Sequence, residues 1–141
     1  MMEHTFTVYL KVRGQGRPRV DYTRRRTYKD KADVSYERQI KEAYINSGGG
    51  WFGKKPLKMI VETYRSLPVS RPKKVSREHD TKKPDATNIA KACEDALNGI
   101  AYVDDAQIVE VHIIKHPRER VDEKLTVTIQ ELDYEDYPTR R

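Results

Sequence analysis

Pro84-Asp85-Ala86-Thr87-Asn88-Ile89-Ala90-Lys91-Ala92-Cys93-Glu94-Asp95-Ala96-Leu97-Asn98-Gly99, followed by Ala106-Gln107-Ile108-Val109-Glu110-Val111-His112-Ile113-Ile114, is the stretch from which the fold is read. In its first part Ile89, Ala92, Cys93, Ala96 and Leu97 recur at the spacing that lines one face of an α-helix. Pro84 and Asp85 suit the start of that helix, and Asn98-Gly99 its stop. The second part is dense in β-formers and reads as a strand. A helix feeding into a strand points to an α/β chain.

Working outward, residues 124–132 read as a further strand, joined to the preceding one through Pro117 and a charged segment and expected to pair with it antiparallel. Residues 57–64 read as a strand that ends near Pro68. Residues 30–46 carry Tyr36, Ile40, Ala43 and Tyr44 at helical spacing, with a basic outer face and a stop at Asn46-Ser47-Gly48-Gly49-Gly50. Residues 5–12 alternate Phe6, Val8, Leu10 and Val12 on one side, a half-buried strand ended by Gly14, Gly16 and Pro18. Residues 68–83, rich in Lys and Arg, interrupted by Pro68 and Pro72 and without periodicity, read as a mobile basic loop able to close over a ligand. The predicted order is strand-helix-strand-helix-strand-strand, an α/β two-layer sandwich with a mixed sheet. One domain spans residues 1–132, and 133–141 form a polar C-terminal tail.

Leu, Ile, Val and Phe make up 29 of the 141 residues, so the core is thin and the chain stands to gain by burying surface against a second subunit. No apolar run approaches the roughly 18 residues that cross a bilayer, and Met1-Met2-Glu3-His4 opens no secretory leader; a cytoplasmic location is expected. The single cysteine, Cys93, excludes an internal disulfide framework and a thiolate zinc cluster and reads as a small buried hydrophobe. No glycine pattern for an organic cofactor or P-loop occurs. His112 and His116 share one side of a strand without a third ligand and read as structural or exposed. Tyr36 and Tyr44 read as core, whereas Tyr22, Tyr28 and Tyr102 are candidates for stacking on an opened base.

The net charge of +6 is unevenly spread: residues 1–83 hold 21 Lys and Arg against 9 Asp and Glu, and residues 84–141 hold 7 against 13. A basic half supplies counterion-releasing contacts to a phosphate backbone, and an acidic half concentrates carboxylates around a divalent cation. Asp85 stands at the start of the second helix and Asp104-Asp105 just before the strand that follows it. Asp85 with Asn88, and Thr87 with Lys91, lie three and four residues apart on the polar side of the helix. Hard oxygen ligands near a lysine are what Mg²⁺-dependent phosphodiester hydrolysis requires. Spacing alone leaves open, and favours, a plainer reading in which Asp85 is an N-cap and Asp104-Asp105 a turn.

The run Lys82-Lys83-Pro84-Asp85-Ala86-Thr87-Asn88-Ile89-Ala90-Lys91, then Asp95-Ala96-Leu97-Asn98-Gly99, then Tyr102-Val103-Asp104-Asp105-Ala106-Gln107-Ile108-Val109, resembles the core of the RusA-like Holliday junction resolvases, whose pattern reads approximately K-P-D-x-D-N-x-x-K, D-A-L-N and D-D-x-Q-V. Gly14-Gln15-Gly16-Arg17-Pro18-Arg19 resembles the family's G-x-x-R-P-R, so the likeness covers most of residues 5–131. The resemblance implies a homodimeric, Mg²⁺-dependent endonuclease, with Mn²⁺ as a substitute, that binds four-way DNA junctions and cuts two strands of like polarity. It implies Asp85 and Asp105 as catalytic metal ligands, Asp104 beside them as a metal-site helper, and Lys91 near the scissile phosphate. Thr87 departs from the pattern, standing where the family commonly has a second Asp; Thr87 and Asn88 are then neighbours of the site. Three readings follow: fewer ligands that still work, compensation by Asp104, or a protein that binds branched DNA with weakened or lost cleavage. Asp95, ten residues along the helix from Asp85, is expected to close the helix's own polar face.

Two basic groups fit a shape-reading DNA binder: Arg17, Arg19, Arg24, Arg25 and Arg26 after the first strand, and Arg71, Lys73, Lys74, Arg77, Lys82 and Lys83 before the acidic motif. A basic RNA-binding module with a structural acidic motif is the remaining alternative.

Overall fold

The apolar periodicities fold as two helices over one sheet. The structure, a computed structural model, describes residues 1–16 and 19–137. In chain order its elements are β1 (Glu3–Tyr9), β2 (Arg19–Asp21), β3 (Arg26–Tyr28), α1 (Lys31–Asn46), β4 (Leu57–Tyr64), α2 (Ala86–Leu97), β5 (Ile108–Lys115) and β6 (Lys124–Glu131). The α/β class and mixed sheet expected from the sequence are found, together with a small β2–β3 hairpin that had no pattern long enough to announce it.

The sheet order β1-β6-β4-β5 corrects one expectation: β5 and β6 do not pair. β6 lies between β1 and β4, antiparallel to both, and β5 takes the edge, parallel to β4. The two strands are buried to different depths. β6 alternates strictly, with Leu125, Val127 and Ile129 fully buried beneath the helices and Thr126 and Thr128 on the other face, which suits a central strand, whereas Val109, Val111 and Ile114 of the edge strand β5 are exposed although β5 carries more aliphatic residues. Parallel pairing of β4 with β5 needs a long crossover, and the segment carrying α2 supplies it.

One sheet face, with Phe6, Val8, Leu57, Met59, Val61, Leu125, Val127 and Ile129, packs beneath the helices. α2 contributes Ile89, Ala92, Cys93, Ala96 and Leu97, as its periodicity predicts, and α1 contributes Tyr36, Ile40 and Tyr44. Burial pushes the Cys93 thiol up to about 12. α2 ends at Leu97 with Asn98 as its C-cap, followed by Gly99 at φ +77°, a left-handed turn that suits glycine.

Two buried carboxylates of α1 fasten the chain before it: Asp33 pairs with Arg13 at 2.9 Å and Glu37 with Lys29 at 2.6 Å. Between them the glycine-containing segment docks on the first turn of α2, where Gln15 N donates to Asn88 O at 3.0 Å. A side chain at Gly14 would place its Cβ 2.9 Å from Asn88 Cβ and 3.1 Å from Pro84 Cβ, so only glycine allows this approach. The segment 68–83 is fastened rather than loose. Glu78 and Arg118 exchange backbone hydrogen bonds of 3.1 and 2.8 Å, and Arg71 pairs with Glu78 at 2.9 Å. No helix among the described residues is long and apolar enough to cross a membrane.

Ile129 is fully buried in a strand with neighbours on both sides. Ile129→Ala is expected to cost about 2–5 kcal/mol in urea unfolding. Thr7→Ala, which removes one exposed threonine pair with Thr126 on the opposite sheet face, should stay within about 0.5 kcal/mol.

Candidate active site

Because one face of α2 is buried, its polar residues are forced to the other side. Lys91 projects from that side and is held by two carboxylates, Asp95 at 3.2 Å one turn along and Asp105 at 3.6 Å from the turn before β5. The Asp95 bond raises the Lys91 pKa and keeps the ammonium charged. Asp95 therefore closes the polar face of its own helix, as expected, and also stands beside Asp105.

The turn carrying Asp104 and Asp105 is built by a capping box. The Asp104 carboxylate accepts from Ala106 N at 3.2 Å, and Asp104 N donates to Gln107 Oε1 at 3.0 Å. The Gln107 amide then donates to Gly53 O at 2.9 Å and Lys55 O at 2.7 Å, pinning the turn to the loop before β4. Gln107 is thus a positioning residue that sequence reasoning quoted without assigning a role. Its signal was the D-x-x-Q spacing itself.

Partial burial raises the Asp105 pKa first, then a hydrogen bond with Asp104, against the lowering influence of Lys91. Glu94 is also raised, by burial and by Asp105. Asp104, Asp105, Glu94, Asp95 and Lys91 form one electrostatic cluster. Asp85 makes no ion pair or side-chain hydrogen bond with it among the described residues. It is the N-cap of α2, exposed and without a side-chain capping bond, and six residues, about 9 Å of helix, separate it from Lys91. Thr87 and Asn88 are exposed beside it. Among the described residues no group of three His, Cys, Asp or Glu side chains is close enough to hold a metal ion. Mg²⁺ needs only one or two protein carboxylates and keeps several waters, so the crowded Asp104-Asp105 pair has the right donor chemistry.

The basic residues singled out in the sequence are in different states. Lys82 and Lys83 are exposed immediately before Pro84-Asp85, and Lys73 and Lys74 are exposed in the fastened segment. Arg71 and Arg77 are engaged by Glu78 and Glu119, at 2.9 and 3.7 Å. Arg19, Arg24, Arg25 and Arg26 lie on the β2–β3 hairpin, with Arg19 3.6 Å from Asp30 and Arg24 3.8 Å from Asp21; Arg17 falls outside the described residues. Tyr22 is fully open on that hairpin and Tyr28 half open. Tyr102 is corrected: it is buried in the core with its hydroxyl donating to Glu94 O at 2.6 Å, so it is not available for stacking. His112 bonds Glu110 and His116 bonds Glu62, both on the sheet face away from the helices.

Comparison with known proteins adds two findings. The profile of the family described as "Endodeoxyribonuclease RusA" matches residues 10–130. The "Uncharacterized protein YqaN" of Bacillus subtilis (strain 168) is 31% identical over 144 residues, covering 90% of this chain and 95% of that protein.

The raised Asp105 pKa means that ionising this carboxyl costs the folded state more than the unfolded one. The folded state binds the proton more tightly, so this contribution to stability is present at low pH and is lost as pH rises through the carboxylate range. Asp105→Asn should therefore melt above wild type at pH 7 in chelator. The difference should vanish near pH 3, where the carboxyl is neutral in both states; a scanning calorimetry series against pH checks the sign.

Proposed function

The chain belongs to the RusA endodeoxyribonuclease family, and we propose that it is a Mg²⁺-dependent endonuclease that resolves four-way DNA junctions by paired nicking in the cytoplasm, acting as a homodimer. The observation that carries this reading is the clustering of Lys91 with Asp105 and Asp104 on the open side of α2. Carboxylates crowded on the surface of a chain with net charge +6 repel a phosphate backbone unless a cation lies between them.

In this reading Asp105 and Asp104 would hold the ion from the turn before β5, and Asp85 would join from the N-cap of α2. Bound there, Mg²⁺ supplies polarisation of a phosphate oxygen and acidification of a water. Lys91, charged and free to exchange Asp95 for a phosphate oxygen, offsets negative charge on the scissile group. Lys82, Lys83, Lys73 and Lys74 beside the motif, and the arginines of the β2–β3 hairpin, follow the backbone of the arms without reading bases. Homodimerisation is supported by the sheet face that no helix covers and by the exposed Val109, Val111 and Ile114 of β5.

The absence of a three-carboxylate group among the described residues favours one second reading, a branched-DNA binder whose cleavage is weakened by Thr87. Nicking assays on synthetic four-way, three-way and linear DNA, with Mg²⁺ or chelator, separate the two. Under the nuclease reading Asp85→Asn and Asp105→Asn each lose more than about 100-fold in Mg²⁺-dependent nicking while junction binding in Ca²⁺ is retained. Thr87→Asp then raises activity. Wild type that binds junctions and never nicks them would establish the second reading. Duplex RNA competing as well as a junction at equal salt would establish an RNA-binding module instead.

A further inference from the structure

Directly before Asp85 the backbone is gripped by a buried charge cluster that the nuclease motif does not include. Asp80 has a fully buried side chain, and a carboxylate so placed must be paired. Its partners come from the carboxyl ends of the two parallel strands: Arg65, just after β4, at 3.0 Å, and Lys115, the last residue of β5, at 3.9 Å. Both cations are nearly buried, with 13% and 14% of their side chains exposed. Two positive charges thus face one negative charge.

The surplus is directed at carbonyl oxygens. Arg65 Nη1 donates to Lys83 O at 3.0 Å, and Lys115 Nζ donates to Lys82 O at 2.7 Å and Pro84 O at 2.9 Å. The carbonyls of three successive residues are turned inward to this pair of cations, and the next residue, Asp85, is turned out to solvent. The buried side-chain polar atoms without a hydrogen-bond partner among the described residues are Thr63 Oγ1, Arg65 Nε and Asp80 Oδ2. Two belong to the cluster, and Thr63 is the register partner of Lys115. Two side chains fixed by one carboxylate thus spend their donors on the backbone that leads into Asp85.

We propose that Lys115, anchored with Arg65 by Asp80, is a positioning residue that sets the backbone of residues 82–84 and thereby aims the Asp85 carboxylate at the metal. The proposal rests on the nuclease reading above, in which Asp85 is a ligand. Outer partners that orient ligands typically contribute 10- to 100-fold in metal affinity or activity.

The test is Mn²⁺ binding to the full-length protein, followed by the electron paramagnetic resonance signal of free Mn²⁺, for wild type, Asp85→Asn and Lys115→Met. Methionine keeps the length of the lysine stem and removes the donors. Lys115→Met is expected to weaken Mn²⁺ binding about 10-fold, in the direction of Asp85→Asn, and to lower kcat for nicking with KM for the junction within about twofold. Unchanged Mn²⁺ affinity in a Lys115→Met protein with a lowered Tm would overturn the proposal and leave Lys115 as scaffold. Should circular dichroism show that Lys115→Met does not fold, the near-isosteric Asp80→Asn carries the same comparison, with the same expected loss and the same overturning result. Wild type that neither binds Mn²⁺ nor nicks would bring down the nuclease reading and this proposal with it, whereas wild-type binding that survives Lys115→Met brings down the proposal alone.

Discussion

The apolar stripe of α2 can be buried in only one orientation, and most of the molecule's chemistry depends on that constraint. With Ile89, Ala92, Cys93, Ala96 and Leu97 against the sheet, Lys91 and Asp95 have nowhere to go except the opposite side. The strand that follows returns beside the helix, and its entry turn sets Asp105 against Lys91. Hydrophobic burial, which has no direction of its own, becomes directional here because a helix has fixed periodicity. The acidic cluster is a by-product of packing made specific by two local devices. The capping box of Asp104 and Gln107 shapes one end, and the docking of Gly14 and Gln15 on Asn88 shapes the other.

The regular elements were legible where periodicity was long. Both helices and β4 stand where their patterns place them, because a stripe of four or five apolar residues leaves little choice of face. Strand pairing was less legible. β5 and β6 adjoin in sequence and looked like a hairpin, yet the deciding quantity was how deeply each could be buried, and that depends on what lies on both flanks. The β2–β3 hairpin is three residues a side, too short for alternation to register.

The site divides along the same line. Lys91 and Asp105 come together, and Asp95 joins them because four residues is about one turn of helix. Asp85 lies apart from their contacts, since it belongs to the helix start rather than to the exposed face farther along. The D-x-x-Q spacing announces the capping box, but the carbonyl partners of Gln107 and Lys115 lie in distant segments, 52 to 54 residues away for Gln107 and 31 to 33 for Lys115, and Asp80 acts through the side chains of Arg65 and Lys115. Only tertiary structure reveals such partners.

The placement of β6 has a bearing on how the chain comes into being. The strand that joins β1 to β4 is made after both of them, and its partners in β1 lie more than a hundred residues earlier, as in the pairing of Thr5 with Thr128. Until residue 131 leaves the ribosome, β1 has no neighbour and the β4-α2-β5 unit has a bare strand edge, so the nascent molecule is two unfinished pieces. Closure over so large a loop is slow. β4 and β5 can pair before β6 is made, but one edge of β4 then stays open to edge-to-edge association until β6 fills the middle.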